Sequence, residues 1–256
     1  MRTVSVTGTG VVFQVPDIKP VAPIALPRFT AGIVPELRFW YAGDWHRFAY
    51  NQAVSDYEEK LKFGDAAFRA TERFFQREDA VYQTLRDVTA RLEKLGVAYA
   101  VVGGMALVAH GYIRTTIDVD ILVTADGLRA LHAALDGLGY LPPFEGSKNL
   151  RDTATGVRIE FLIAGQFPGD GKPKPVAFPD PAVAAETKHG IRFLSLPKLI
   201  ELKLASGMTN PGRLRDLADV QELIRTLKLP RDFDLQLNEF VRTKFRDLYQ
   251  ALSASG

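Results

Sequence analysis

The sequence predicts an α/β (α+β) fold in which a small mixed β-sheet is flanked by helices and followed by a helical C-terminal region. Three observations carry that expectation. Residues 117–123 and 156–163 alternate along the chain as half-buried strands do. Residues 97–102 form a short apolar run that ends at Gly103-Gly104 and passes into the helix-like stretch 105–110, closed by Gly111. Flanking segments repeat apolar residues at three- and four-residue spacing, the period of amphipathic helices.

Residues 1–50 read as a proline-rich N-terminal extension. Prolines at 16, 20, 23, 27 and 35 exclude a continuous helix and suit extended, irregular backbone. Thr7-Gly8-Thr9-Gly10 is glycine-rich, but no helix-forming stretch follows, so a hairpin or a flexible terminus is expected rather than a nucleotide-binding loop. Phe39-Trp40-Tyr41 and Trp45 either anchor this arm by burying apolar area or offer a platform for stacking bases. Residues 51–96 form a helical segment, with helices expected over 50–63 and 66–95; the second places Leu85, Val88, Leu92 and Leu95 at helical spacing.

Residues 97–228 make the core and a helical pair. In the strand 117–123, Ile117, Val119, Ile121 and Val123 face one way and Asp118 and Asp120 the other. Adjacent like charges raise each other's proton affinity unless a cation lies between them, which makes the pair costly for a purely structural role. Mg²⁺, which takes one or two carboxylates plus substrate phosphates, offsets that cost, and a second ion lets such a pair stabilise both attacking and leaving oxygens. The strand 156–163 repeats the pattern: Val157, Ile159, Phe161 and Ile163 share one face, leaving Arg158, Glu160 and Leu162 on the other. Side-by-side pairing of the two strands supplies Glu160 as a third carboxylate, as metal ligand or as base; its competing structural role is an ion pair with Arg158 or Arg114. Gly103 and Gly104, separated from Asp118 by thirteen residues, let backbone amides approach an anion closely at the start of a helix. The reaction class that fits is nucleotidyl transfer.

These residues resemble the signature of the polymerase-beta-like nucleotidyltransferase superfamily: Gly103, Gly104, the Asp118-x-Asp120 strand and a third acid, Glu160, on a later strand. Arg114 and Thr116 fit the G-x-x-R-x-T-x-D lead-in of the abortive-infection toxin-like (AbiEii-type) branch. Glu160 departs from the commoner aspartate, and Met105 stands where many relatives carry serine or threonine. The likeness extends through 193–203 and 213–220, which look like the helical pair that follows the catalytic sheet. There Ser195 suits an N-cap, Pro197 a first turn, and 207–212 the turn between helices. The resemblance implies a nucleotidyltransferase core with Asp118, Asp120 and Glu160 as catalytic acids and metal ligands. It also implies nucleotide contacts from Gly103, Gly104, Arg114, Thr116 and Lys203. Arg114 either holds the triphosphate through its planar fork or caps the carboxylates, and Lys203 lies either near the nucleotide or in an ion network with Asp216 and Asp219.

The expected function is Mg²⁺-dependent transfer of an NMP from an NTP to a hydroxyl acceptor on RNA, protein or a small molecule, with release of pyrophosphate and one or two Mg²⁺ ions. A toxin-type modifier is one form of it; the alternative is a non-catalytic nucleotide-binding or assembly module on the same fold. A net charge of +2 argues for no global basic field, and the absence of cysteine and of any long apolar span points to a cytoplasmic chain without disulfides or membrane insertion. His46, His110, His132 and His189 show no zinc-ligand spacing, and His110 reads as a packed or capping residue. The loop 168–175 carries Lys172 and Lys174 and is either a linker or a substrate lid. Residues 229–256 end in an amphipathic helix through Leu237, Val241, Phe245, Leu248 and Leu252. It covers the core or, like the N-terminal extension, meets a protein partner.

Overall fold

The structure, a computed structural model, describes residues 2–4, 13–15, 73 and 79–254. The chain divides into two compact units, Met1–Phe39 and Trp40–Gly256. In the first, β1 (Arg2–Val4) pairs antiparallel with β2 (Phe13–Val15), Arg2 opposite Val15. The glycine run, the aromatic cluster, the helix expected over 50–63 and most of 66–79 lie outside the described residues.

The second unit is built on a mixed sheet. Helix α1 (Ala80–Lys94) starts at Asp79, whose carboxylate accepts a hydrogen bond from Tyr82 N at 3.0 Å. Its buried stripe runs Val81, Leu85, Val88, Leu92; Leu95, expected to extend it, follows the helix and is 41% exposed. Next come β3 (Tyr99–Val101), α2 (Gly103–Ala109), β4 (Asp118–Val123), α3 (Ala125–Leu135), β5 (Tyr140–Leu141), β6 (Leu150–Asp152) and β7 (Arg158–Ile163). The chain continues through α4 (Pro181–Ala184), β8 (Ala185–Lys188), β9 (Ile191–Leu194), α5 (Leu196–Thr209), α6 (Leu214–Leu227) and α7 (Glu239–Ala254). The seven-stranded sheet has the order β5-β6-β7-β4-β3-β9-β8. Thus β4 and β7, the two strands with the alternating pattern, are neighbours near its centre, and they run parallel.

Alternation does its work in that pair. Val119, Ile121, Ile159 and Phe161 are fully buried, each worth roughly 1.5–3 kcal/mol of burial. Ile117 does not join them: β4 begins one residue later, and Ile117 is 53% exposed.

The helical region follows the expected order with two changes. Ser195 is the N-cap of α5, but its side chain makes no cap bond; its carbonyl accepts from Leu199 N at 2.9 Å. Gly207 is not in a turn. It lies inside α5, where an added Cβ would come within 2.5 Å of Leu217 Cγ, so glycine here permits close packing of α5 on α6. The turn itself is Asn210 with a short 3₁₀ segment, Pro211–Arg213. Leu237, Val241 and Phe245 of the C-terminal stripe are buried in the core, and α7 packs on α5 and α6. Among the described residues no helix is long and apolar enough to cross a membrane.

Candidate functional site

Parallel pairing of β4 with β7 sets Asp118 opposite Arg158 and Asp120 opposite Glu160. Residues opposite one another in a ladder share a face, so the two aspartates and Glu160 stand on the same side of the sheet, as the matched alternation predicts. Arg158 belongs to that group too. Its Nη2 forms an ion pair with Glu160 Oε1 at 3.0 Å and lies 3.6 Å from Asp118 Oδ2.

The glycine pair abuts this face. Gly103 and Gly104 form the first turn of α2 instead of preceding it, and Val102 N donates to Asp120 O at 2.9 Å, fastening the turn to β4. Gly103 has φ +58°, and a Cβ there would lie 1.8 Å from Asp120 Oδ2. Gly104 is packed against Thr116, whose Cβ and Oγ1 would each be 2.7 Å from an added Cβ. Thr116 in turn donates from Oγ1 to Asp118 Oδ1 at 2.7 Å. A contact expected to serve the nucleotide thus orients a carboxylate in this structure.

Asp120 differs from its neighbours. Among the described residues its carboxylate makes no hydrogen bond or ion pair, and burial, then Asp118, then Glu160, push its pKa up to about 7, against a partial offset from Lys203 and Arg114. Like charges held close together favour a proton or a cation. On that ground Asp118 and Asp120 fit a divalent ion. Glu160 fits less fully, because one of its oxygens is taken by Arg158; among the described residues no three His, Cys, Asp or Glu side chains are gathered as a ready metal cluster.

Lys203 and Arg114 form the second layer. Lys203, buried in α5, donates to Asp216 Oδ1 at 2.9 Å and Asp219 Oδ2 at 2.7 Å, both on α6, and Ser206 Oγ donates to Asp216 Oδ2 at 2.7 Å. Arg114 Nε faces Asp219 Oδ1 at 3.5 Å and is buried without a hydrogen bond among the described residues. The ion network foreseen for Lys203 is therefore present, with Arg114 tying the segment before β4 to it. Both cations act on Asp120 through space.

Two other features are settled by packing. His110 is buried: its Nε2 lies 2.8 Å from Leu194 O and its Nδ1 2.9 Å from Lys188 Nζ. An ammonium can only donate, so Nδ1 accepts and Nε2 carries the proton; burial, ahead of the nearby Lys188 charge, lowers the pKa. In the loop 168–175, Lys174 Nζ donates to Pro168 O at 2.7 Å and to Asp170, and Asn210 Nδ2 donates to Gly169 O at 3.2 Å. One of the two loop lysines is thus spent inside the loop, which is fastened to the end of α5.

No protein-family model matches this chain, and no curated protein matches it. Among solved structures, the chain is similar to the crystal structure of ANT(2")-Ia in complex with adenylyl-2"-tobramycin at 13% identity and TM-score 0.44, over 65% of this chain and 97% of that one. It is also similar to the solution structure of the antibiotic-resistance factor ANT(2'')-Ia at 15% identity and TM-score 0.43, over 67% and 95% of the respective chains. Likeness at this level carries nothing about activity. The functional reading rests on the site's own geometry.

Proposed function

We propose that this chain is a nucleotidyltransferase of the polymerase-beta-like kind, moving an NMP from an NTP to a hydroxyl acceptor with loss of pyrophosphate. The observation that carries the reading is the apposition of Asp118 and Asp120 on β4 with Glu160 opposite Asp120 on β7, directly against the positive-φ Gly103.

Gly103 and Gly104, as first residues of α2, have amides with no partner inside the helix, and their missing Cβ atoms let Asp120 and Thr116 pack against the turn. Arg114 and Lys203 add positive potential beside the acids. Thr116 fixes the orientation of Asp118. Asp118 and Asp120 would hold Mg²⁺, which would supply charge neutralisation and alignment of the phosphates. Glu160, whose Oε1 lies 3.0 Å from Arg158 Nη2, accepts the proton of the acceptor hydroxyl. The acceptor oxygen bonds to the α-phosphorus as the bond to the β-phosphate oxygen breaks, and pyrophosphate departs with that electron pair.

The acceptor is RNA, protein or a small molecule, the first two being the targets of a toxin-type enzyme. The test is to incubate the protein with each of the four α-labelled NTPs, Mg²⁺ and cell extract. Label should pass to one acceptor class, and Asp118→Ala and Asp120→Ala should each abolish it. Labelling that survives in those variants defeats the mechanism. A thermal shift with NTP but no pyrophosphate under any acceptor condition would instead establish a binding module.

A further inference from the structure

We propose that Arg158 is the second cation of this site, so that the chain works with a single divalent ion; the inference rests on the transferase reading above and deepens it. Strand alternation alone requires Arg158 to share the acids' face, two residues from Glu160. The register sets it opposite Asp118 while Glu160 stands opposite Asp120, so four charged side chains form one block across β4 and β7.

Within that block a single guanidinium nitrogen lies between two carboxylates, 3.0 Å from Glu160 Oε1 and 3.6 Å from Asp118 Oδ2. A divalent ion joining the same two groups would need both oxygens at about 2.1 Å, a far tighter approach than an N–H donor requires. Asp118 accepts from Thr116 through Oδ1 and has the guanidinium 3.6 Å from Oδ2, whereas among the described residues the Asp120 carboxylate has no such partner. The charge left to attract an ion is therefore concentrated on the Asp120 side. A second divalent ion between Asp118 and Glu160 would have to displace the guanidinium or face its repulsion.

Arginine suits this substitution chemically. Its charge persists at every working pH, and its planar fork can hold carboxylates with some N–H groups while others remain for a phosphate oxygen. The Arg158 side chain is 44% exposed, so part of that fork stays accessible. Lysine could supply the charge but not the fork.

The experiment counts bound Mn²⁺ by electron paramagnetic resonance, on full-length protein saturated in turn with the α,β-methylene analogue of each nucleoside triphosphate. Wild type should bind one Mn²⁺ per protein–nucleotide complex, Arg158→Lys one, and Arg158→Gln two, with folding of each checked by circular dichroism. Two ions on the wild type, or one on a folded Arg158→Gln protein, would overturn the inference while leaving the transferase reading intact. If the wild type binds no Mn²⁺ beyond what Asp120→Asn binds, the transferase reading fails and this inference falls with it. The wild-type count decides against the proposal even if Arg158→Gln does not fold.

Discussion

A Cβ on residue 103 would lie 1.8 Å from Asp120 Oδ2, so the turn and the carboxylate fit together only because Gly103 has no side chain. Two requirements coincide at this position, since its φ of +58° is also one that other residues adopt at a cost. Gly103→Ala should lose about 2–5 kcal/mol, combining left-handed strain with overpacking. Urea unfolding checks this, and adding Asp120→Ala should restore only the packing part. Simple additivity of the two changes would mean that the contact is not real.

Thr116→Val keeps the shape that Gly104 packs against but removes the hydrogen bond to Asp118. Stability should fall by about 1 kcal/mol, while label transfer should drop roughly 10–100-fold, because residues that orient metal ligands act at that scale. An unchanged rate would return Thr116 to a packing role.

The raised pKa of Asp120, about 7 against an ordinary 3.8, predicts a definite pH trend for the ion-free protein. A carboxyl that holds its proton more tightly when folded favours folding most at low pH. That advantage is lost as pH rises from about 4 to about 7, and is gone above it. In EDTA, Asp120→Asn should therefore gain thermal stability over wild type progressively across this window, with Mg²⁺ narrowing the gap above pH 7. Melting temperatures of the two proteins that run parallel from pH 4 to 8 would contradict the assignment.

Lys203→Met leaves Asp216 and Asp219 without the cation that joins them. The expected cost is about 3–5 kcal/mol, the scale for orphaning buried charges. Combining it with Asp216→Asn and Asp219→Asn should recover much of this, measured by denaturant midpoints. If Lys203 served only the nucleotide, the single change would alter NTP binding and leave stability alone.

The paired acids were legible because two strands with the same alternation place their charges on one face wherever they become neighbours, and Asp120 opposite Glu160 is the result. The strand boundary was less so. Ile117 continues the apolar alternation on paper, yet pairing with β7 starts at Asp118, so Ile117 stays in solvent. Strands β5, β6 and β8 span only two to four residues, too short for a periodic signal, and they exist because neighbouring strands offer them hydrogen bonds. Gly207 reads as a turn because glycine commonly punctuates helices; only the approach of Leu217 reveals its packing role. The helical ion network was foreseen around Lys203, but Arg114 reaches Asp219 across about a hundred residues of chain, a closeness that no local pattern encodes.

The parallel register between β4 and β7 also acts as a folding safeguard. Sliding either strand by one position would turn carboxylates into the apolar interior and put isoleucine and phenylalanine in water, a penalty no misaligned pairing could offset. Correct assembly of the reactive face is thus proofread by greasy side chains that never meet a substrate.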